Sequence, residues 1–259
     1  IDAEAAYEVS EYLTKLMIQA GIEESSEGDG LKEVIAKSLQ LSVSNGYHKA
    51  LPNYARLFLL GWYFDKDFDV FDIYMRMAAK KDLIEGIAYI GEYSFLGKTQ
   101  EQKQEGLKYL KIAAERNHVD SIFRLGRVYL DGYLLKKDYE KGISYVESAH
   151  QSKNNDATKY LCEVYVFEDN QNLNKAIDIC QKNAAKGDMM NQFALSWAYS
   201  LTDDEVKCYA WSSIGLSKAT LEKHEGFSEQ FRSLKDVCYQ GMSSSQVKRA
   251  NDLVRKLLK

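Results

Sequence analysis

The stretch SIFRLGRVYLDGYLLKKDYEKG, residues 121–142, decides the fold because its pattern recurs along the chain. It contains a small residue, Gly126, which is followed by Tyr129 and Gly132. A small residue recurs at the same place, in steps of 36, 35, 36 and 34 positions, at Ala55, Gly91, Gly126, Cys162 and Ser196. A period of this length indicates an array of stacked supersecondary units.

Two further columns share this register. A second glycine stands six positions after the small residue, at Gly61, Gly97 and Gly132, and is lost in the last two units. A third column precedes each unit, at Gly46, Asp82, Asn117, Lys153 and Gly187. Because glycine and asparagine tolerate the left-handed backbone at which many helices stop, both columns predict helix ends.

Each unit is predicted to contain two helices, A and B. In the third unit, helix A is expected at Asp120–Leu130 and helix B at Tyr139–Gln151, since the apolar residues of each share one face. The small residue of helix A allows two helix backbones to approach closely. One unit cannot bury its apolar face alone, whereas stacked units can. The sequence therefore predicts an all-α solenoid of about five to six helix pairs with capping helices at both ends.

The predicted boundaries follow the stop column. Residues 1–45 are expected to form a degenerate N-terminal helical cap that is broken near Gly21–Gly30. Five units follow, at 46–81, 82–116, 117–152, 153–186 and 187–218. Residues 219–259 are expected to be C-terminal capping helices, the last beginning at Ser244 because Ser243 and Gln246 have capping-box spacing. No linker divides the chain, so one domain is predicted.

Composition restricts the classes of partner. The 259 residues carry a formal net charge of -4, so the chain lacks the basic excess typical of nucleic-acid binding. No apolar run reaches the length needed to span a bilayer. We therefore expect no nucleic-acid partner and no membrane span.

The sequence contains no recognisable catalytic or metal-binding set. Its four histidines lie in different units, and no phosphate-binding loop or nucleophile elbow occurs. The run Asp65–Asp69 resembles the start of a calcium loop but lacks the required glycine and glutamate, so a turn with an aspartate capping helix B is the better interpretation. No enzyme activity, metal or cofactor is predicted.

The four cysteines can be interpreted either as disulfide-bonded or as free thiols. Cys162 and Cys180 could meet across one helix pair, while Cys208 and Cys238 lie towards the C-terminus. A buried free cysteine behaves as a small apolar residue, and this reading is favoured over a disulfide.

The strings RLGRVYLDG (124–132) and KDYEKG (137–142) resemble the Sel-one-like repeat (SLR), a branch of the tetratricopeptide-type solenoids. The tail strings KCYAW (207–211) and MSSSQ (242–246) are similar to the closing segment of many bacterial SLR proteins. The resemblance covers about Gly46 to Leu258 and is more specific in units two and three than in four and five. It implies a right-handed α/α solenoid.

Solenoids of this kind bind partners along a concave face lined by helix A. The helix A positions two before and one after the small residue share a face. They predict a mixed-charge, aromatic partner-binding track, at Arg56, Tyr89, Glu92, Arg124, Arg127, Tyr160, Glu163 and Trp197. Each aromatic residue could instead simply pack between layers, but arginine, tyrosine and tryptophan dominate binding energy at interfaces.

The resemblance implies a bacterial adaptor that binds another protein, as a monomer. The alternative is an immunity protein that neutralises a cognate secreted toxin, such as a type VI lipase, and a second alternative is a hydrolase built on an α-solenoid. The chain begins at Ile1 rather than methionine, which favours a trimmed or processed form. The resemblance favours the bacterial periplasm or cell envelope and leaves the cytoplasm open.

Overall fold

The computed structural model of the chain describes residues 2–168 and 172–258, and within them the helices carry all the regular structure. Ile1, Lys259 and residues 169–171, which belong to the predicted segments 1–45, 219–259 and 153–186, lie outside the described residues. The helices are α1 (Ala3–Ala20), α2 (Ser26–Ser44), α3 (Leu51–Leu60), α4 (Phe68–Lys80), α5 (Ile84–Phe95), α6 (Gln100–Glu115), α7 (Val119–Asp131), α8 (Tyr139–Gln151), α9 (Asn155–Phe167), α10 (Leu173–Ala185), α11 (Met189–Leu201), α12 (Glu205–Leu221), α13 (Glu225–Tyr239) and α14 (Ser244–Leu257). A short 3-10 turn, His48–Ala50, precedes α3.

The helices form two compact units, residues 1–137 and 138–259, and in each unit consecutive helices pack on one another. The first unit contains the pairs α1–α2, α3–α4 and α5–α6, with α7 packed on α6. The second contains α8–α9, α10–α11 and α12–α13, with α14 packed on α12. The prediction of an all-α repeat fold is confirmed.

Side-chain caps set many of the helix starts. Helix α8 spans Tyr139–Gln151 as predicted, and Asp138 accepts a hydrogen bond from the Lys141 N–H at 3.0 Å. Asp67 caps α4 in the same way, which agrees with the turn interpretation of the Asp65–Asp69 run. The predicted capping box at Ser243 is present, and α14 begins at Ser244. These ends are local, so the sequence predicts them well.

The three glycines of the second column differ in backbone conformation. Gly61 and Gly132 end their helices with φ of 74° and 70°. Gly97 differs from the expectation, because α5 already ends at Phe95 and Gly97 has no positive φ. A Cβ on Gly97 would lie 2.8 Å from the Ser94 carbonyl oxygen, so close packing, rather than a left-handed backbone, favours glycine there.

The N-terminal break is shorter than predicted. Helix α1 ends at Ala20 with Gly21 in the left-handed conformation, and α2 already begins at Ser26. Gly28 and Gly30 therefore lie inside α2 rather than in the break. Ser25 caps α2 by accepting a hydrogen bond from the Gly28 N–H at 3.1 Å, which overrides the weak helix preference of both glycines.

All five stop-column residues adopt a left-handed backbone, although two of them are neither glycine nor asparagine. Asp82 and Lys153 have φ of 61° and 64°. A residue with a Cβ pays about 1–2 kcal/mol for this conformation, and glycine does not.

Lys153→Gly is therefore expected to raise the free energy of unfolding by about 0.5–1 kcal/mol after the extra chain entropy of glycine is subtracted. The measurement is urea denaturation followed by circular dichroism. Lys186→Gly is the matched control, since Lys186 has φ of -82° and should lose about 0.5–1 kcal/mol. A loss of stability in Lys153→Gly would contradict the argument.

The cysteines are paired, which corrects the favoured free-thiol reading. Disulfides join Cys162 of α9 to Cys180 of α10, and Cys208 of α12 to Cys238 of α13. In the described part of the chain no cysteine is free. The sequence favoured free thiols because pairing depends on where two neighbouring helices cross, which spacing along the chain does not show.

Candidate protein-binding surface

All eight residues predicted to bind a partner lie on odd-numbered helices. In the first unit they are Arg56 on α3, Tyr89 and Glu92 on α5, and Arg124 and Arg127 on α7. In the second unit they are Tyr160 and Glu163 on α9, and Trp197 on α11. Odd-numbered helices also contact each other directly, at α5–α7 in the first unit and at α9–α11 and α11–α13 in the second. The odd-numbered helices are therefore neighbours at α5–α7 in the first unit and from α9 through α11 to α13 in the second.

An ion pair joins two of the predicted residues across neighbouring helices. The Arg124 guanidinium donates from Nε and Nη2 to the two carboxylate oxygens of Glu92, at 3.0 and 2.9 Å. Both side chains are about one-third exposed. A bidentate pair of this kind restricts the orientation of both side chains.

Tyr89 is held by residues that the sequence did not single out. Its hydroxyl donates to Asp72 at 2.7 Å, and Asp72 also accepts from Arg76 at 2.7 Å. Burial raises the pKa of Asp72, but the hydrogen bonds from Arg76 and Tyr89 outweigh it and the net pKa is lowered. Burial, followed by the Asp72 hydrogen bond, raises the pKa of Tyr89. At neutral pH a carboxylate thus accepts a hydrogen bond from a neutral phenol.

A third link connects α1 to α3. The Asn53 amide donates to Glu11 at 2.6 Å and to the Tyr7 hydroxyl at 3.4 Å. Asn53 lies two positions before the small residue Ala55 but is not one of the eight predicted residues, and α1 was interpreted only as a degenerate cap. The helical spacing of Tyr7 and Glu11, four residues apart, is the signal that places both on one side of α1.

Arg56 and Arg127 differ in environment. Arg56 is exposed and, among the described residues, forms no hydrogen bond or ion pair. Arg127 is partly buried, with its guanidinium 5.9 Å from the centre of the Phe123 ring. Arg56 is therefore the more accessible cation of the two.

In the second unit the predicted residues Tyr160 and Glu163 are partly exposed on α9, and Trp197 borders an apolar groove between α11 and α13. The groove has a volume of about 570 Å³ and is lined by Phe193, Trp197, Leu234 and Val237 together with small and polar residues. Trp197 is 39% exposed and its ring centre lies 6.1 Å from that of Phe193. Trp197 thus packs on one side and is open to solvent on the other.

The described residues contain no group of three histidine, cysteine or acidic side chains placed to bind a metal. Two of the histidines have local structural partners: His118 caps α7 by accepting from the Ser121 N–H at 3.3 Å, and His150 lies 2.8 Å from the Thr158 hydroxyl. Over residues 2–168 and 172–258, every helix is too short or too polar to cross a membrane.

Comparison with known proteins identifies the type of helical repeat fold. No protein-family model and no curated protein matches the sequence. Among solved structures, the chain is similar to c5321, a protective antigen of uropathogenic Escherichia coli strains that displays an SLR fold, with a TM-score of 0.64 and 16% identity over 99% of this chain and 61% of that one. The chain thus spans about three-fifths of that protein.

Two further structures are similar. A Sel1 repeat protein from Oxalobacter formigenes matches with a TM-score of 0.60 and 16% identity over 98% of this chain and 88% of that one. The immunity protein Pa5087 from Pseudomonas aeruginosa matches with 20% identity over 86% and 73%, but its TM-score of 0.47 is too low to carry an inference. At such identities the likeness concerns the fold alone. The chain is therefore a helical repeat module with an SLR-type fold.

Proposed function

We propose that the chain is a non-catalytic module that binds another protein along its odd-numbered helices. The observation that carries the proposal is a series of partly exposed polar side chains in the first unit that are hydrogen-bonded in pairs. The pairs are Asn53 with Glu11, Tyr89 with Asp72, and Arg124 with Glu92. Such links reduce the side-chain entropy that is lost when a partner binds. A row of pre-oriented charged and aromatic groups suits recognition of a protein surface.

Of the eight predicted residues, Arg56 and Trp197 are the two with exposed side chains. Arg56 is exposed and Trp197 is open on one side of an apolar groove. Burial of an aromatic anchor and pairing of an arginine are the contacts that contribute most at protein interfaces. In the first unit we expect the partner to offer an acidic group to Arg56, and in the second unit we expect an apolar side chain to be offered to Trp197, each considered by itself.

The test begins with capture of the partner from the native organism and continues with titration of the purified pair. Arg56→Glu is expected to raise the dissociation constant at least about tenfold, because like charges then oppose each other in the interface. Trp197→Ala should raise it about tenfold or more. Circular dichroism verifies that each variant remains folded.

Matched controls lie on even-numbered helices. Lys108→Glu on α6 changes an exposed charge in the same way, and Ile73→Ala on α4 removes an exposed apolar side chain. Both should leave the dissociation constant unchanged. Equal weakening by control and surface variants would contradict the assignment of the odd-numbered face.

The same complex separates the adaptor from the alternatives. A captured enzyme that the chain inhibits at one-to-one stoichiometry would identify an immunity protein. A captured protein without such an activity would identify an adaptor. Turnover of a substrate by the purified chain alone would instead support the hydrolase.

A further inference from the structure

Helix α1 carries a line of apolar side chains, called the seam here, that is largely exposed to solvent. Val9, Tyr12 and Leu16 are 46%, 65% and 40% exposed, and Ala5 continues the line at the N-terminal end. The spacing of these four residues is four, three and four, which places them along one edge of the helix. This is the spacing of the a and d positions of a coiled coil.

The seam is separate from the side of α1 that faces its own unit. Ala6, Ser10 and Met17 are buried, and Met17 belongs to the core shared with α2 and α3. The apolar surface of α1 is thus wider than its own core requires.

Charged residues flank the seam on its outer edge. Glu8 and Lys15 immediately precede Val9 and Leu16, so they take equivalent places one heptad apart. Among the described residues neither side chain forms an ion pair or a hydrogen bond. The opposite edge of the seam carries Ala6 and Leu13, which are buried and half-buried.

We propose that α1 is a dimerisation helix, and that its seam packs antiparallel on the seam of a second copy of this chain. In this arrangement Val9 lies opposite Tyr12 of the second copy, and Ala5 lies opposite Leu16 of the second copy. Glu8 then comes within about two residues, roughly 3 Å along the axis, of Lys15 of the second copy. Both copies contribute the same pair, so two salt bridges form.

The charges favour the antiparallel arrangement and a copy of the same chain. In a parallel pair, Glu8 and Lys15 would face the apolar positions Leu13 and Ala20 of the other helix, and no ion pair would form. A symmetric antiparallel pair matches apolar to apolar and opposite charge to opposite charge with one sequence. The proposed dimer differs from the monomer expected from the sequence, and it does not depend on the proposed partner surface.

Sedimentation velocity of the full chain, with its disulfides intact, tests the proposal over a concentration series from about 1 to 100 µM. The wild-type chain is expected to shift from monomer to dimer over this range. Tyr12→Glu should raise the dimer dissociation constant at least about tenfold, because it places a carboxylate in the apolar seam. Leu221→Glu, at an 82% exposed apolar position outside α1, is the control and should change nothing.

An exchange of the two charged residues distinguishes this dimer from nonspecific association. Glu8→Lys alone should raise the dissociation constant about threefold to tenfold, since each pair becomes repulsive. Glu8→Lys combined with Lys15→Glu should restore the wild-type value, because the antiparallel pairs are then rebuilt with exchanged signs. A wild-type chain that stays monomeric at 100 µM, or a double variant that stays as weak as the single one, would overturn the proposal.

Discussion

Gly106→Ala is expected to lower the free energy of unfolding by about 2 kcal/mol, although the change adds only one methyl group. Gly106 lies in α6 where this helix crosses α5. A Cβ at this position would lie 2.1 Å from the Phe95 nitrogen, 2.6 Å from the Phe95 Cα and 2.7 Å from the Gly91 carbonyl oxygen. All three are backbone atoms, so no side chain can rotate away to make room.

The magnitude follows from two opposing effects. Forcing a methyl group into a close-packed crossing costs about 1–3 kcal/mol, and contacts with backbone atoms place this site at the upper end. Alanine also favours the helix over glycine by about 1 kcal/mol, which offsets part of the loss. The net loss is therefore about 2 kcal/mol, and we expect the α5–α6 crossing to widen.

Gly30→Ala is the matched control for this prediction. Gly30 is also helical, in α2, but no atom lies within 4 Å of the place where its Cβ would be. This variant should gain about 0.5–1 kcal/mol, because only the helix preference operates. Urea denaturation of both variants gives the comparison. A Gly106→Ala variant that is as stable as Gly30→Ala would show that the two helices do not approach this closely.

Removal of the Cys162–Cys180 disulfide is expected to lower the free energy of unfolding by about 3 kcal/mol. The bond links α9 to α10 across 18 residues of sequence. A cross-link over a loop of this length reduces the entropy of the unfolded chain by an amount worth about 3 kcal/mol at 25 °C. The variant Cys162→Ala/Cys180→Ala, compared with the wild-type chain by urea denaturation, measures the effect.

Reduction provides an independent readout. A phosphine reductant should destabilise the wild-type chain, and it should affect the double variant less because only Cys208–Cys238 remains to be broken. A variant lacking all four cysteines serves as the control and should not respond to the reductant. If the wild-type chain has the same stability with and without reductant, the disulfides contribute nothing and the reading of free cysteines in the sequence would be restored.

Two features of the structure have a signal in the sequence that can be interpreted only when the three-dimensional structure is known. Gly106, Gly142, Ala176 and Cys208 stand at equivalent places of successive B helices, and all four are buried. The small-residue column of helix A was recognised, but this second column was not, since its steps of 36, 34 and 32 are less regular. The spacing of Tyr7 and Glu11 along α1 is the second such signal, because it identifies these residues as partners of Asn53 only when α1 and α3 are placed together.

The sequence by itself determined the repeat, the helix pairs and most helix ends of this protein. These features depend on interactions within a few residues, such as the caps at Asp138 and Ser243 and the left-handed stops at Gly46 and Gly187. The period of about 35 residues then specified the kind of fold, because one unit cannot bury its apolar face without the next.

Only the tertiary structure decided which distant side chains meet. The Arg124–Glu92 pair, the Asn53–Glu11 link and the two disulfides join residues between 18 and 42 positions apart, and each depends on how neighbouring helices cross. The apolar seam of α1 is likewise visible only when burial is known, because helical spacing alone cannot distinguish an apolar edge that faces the core from one that faces solvent.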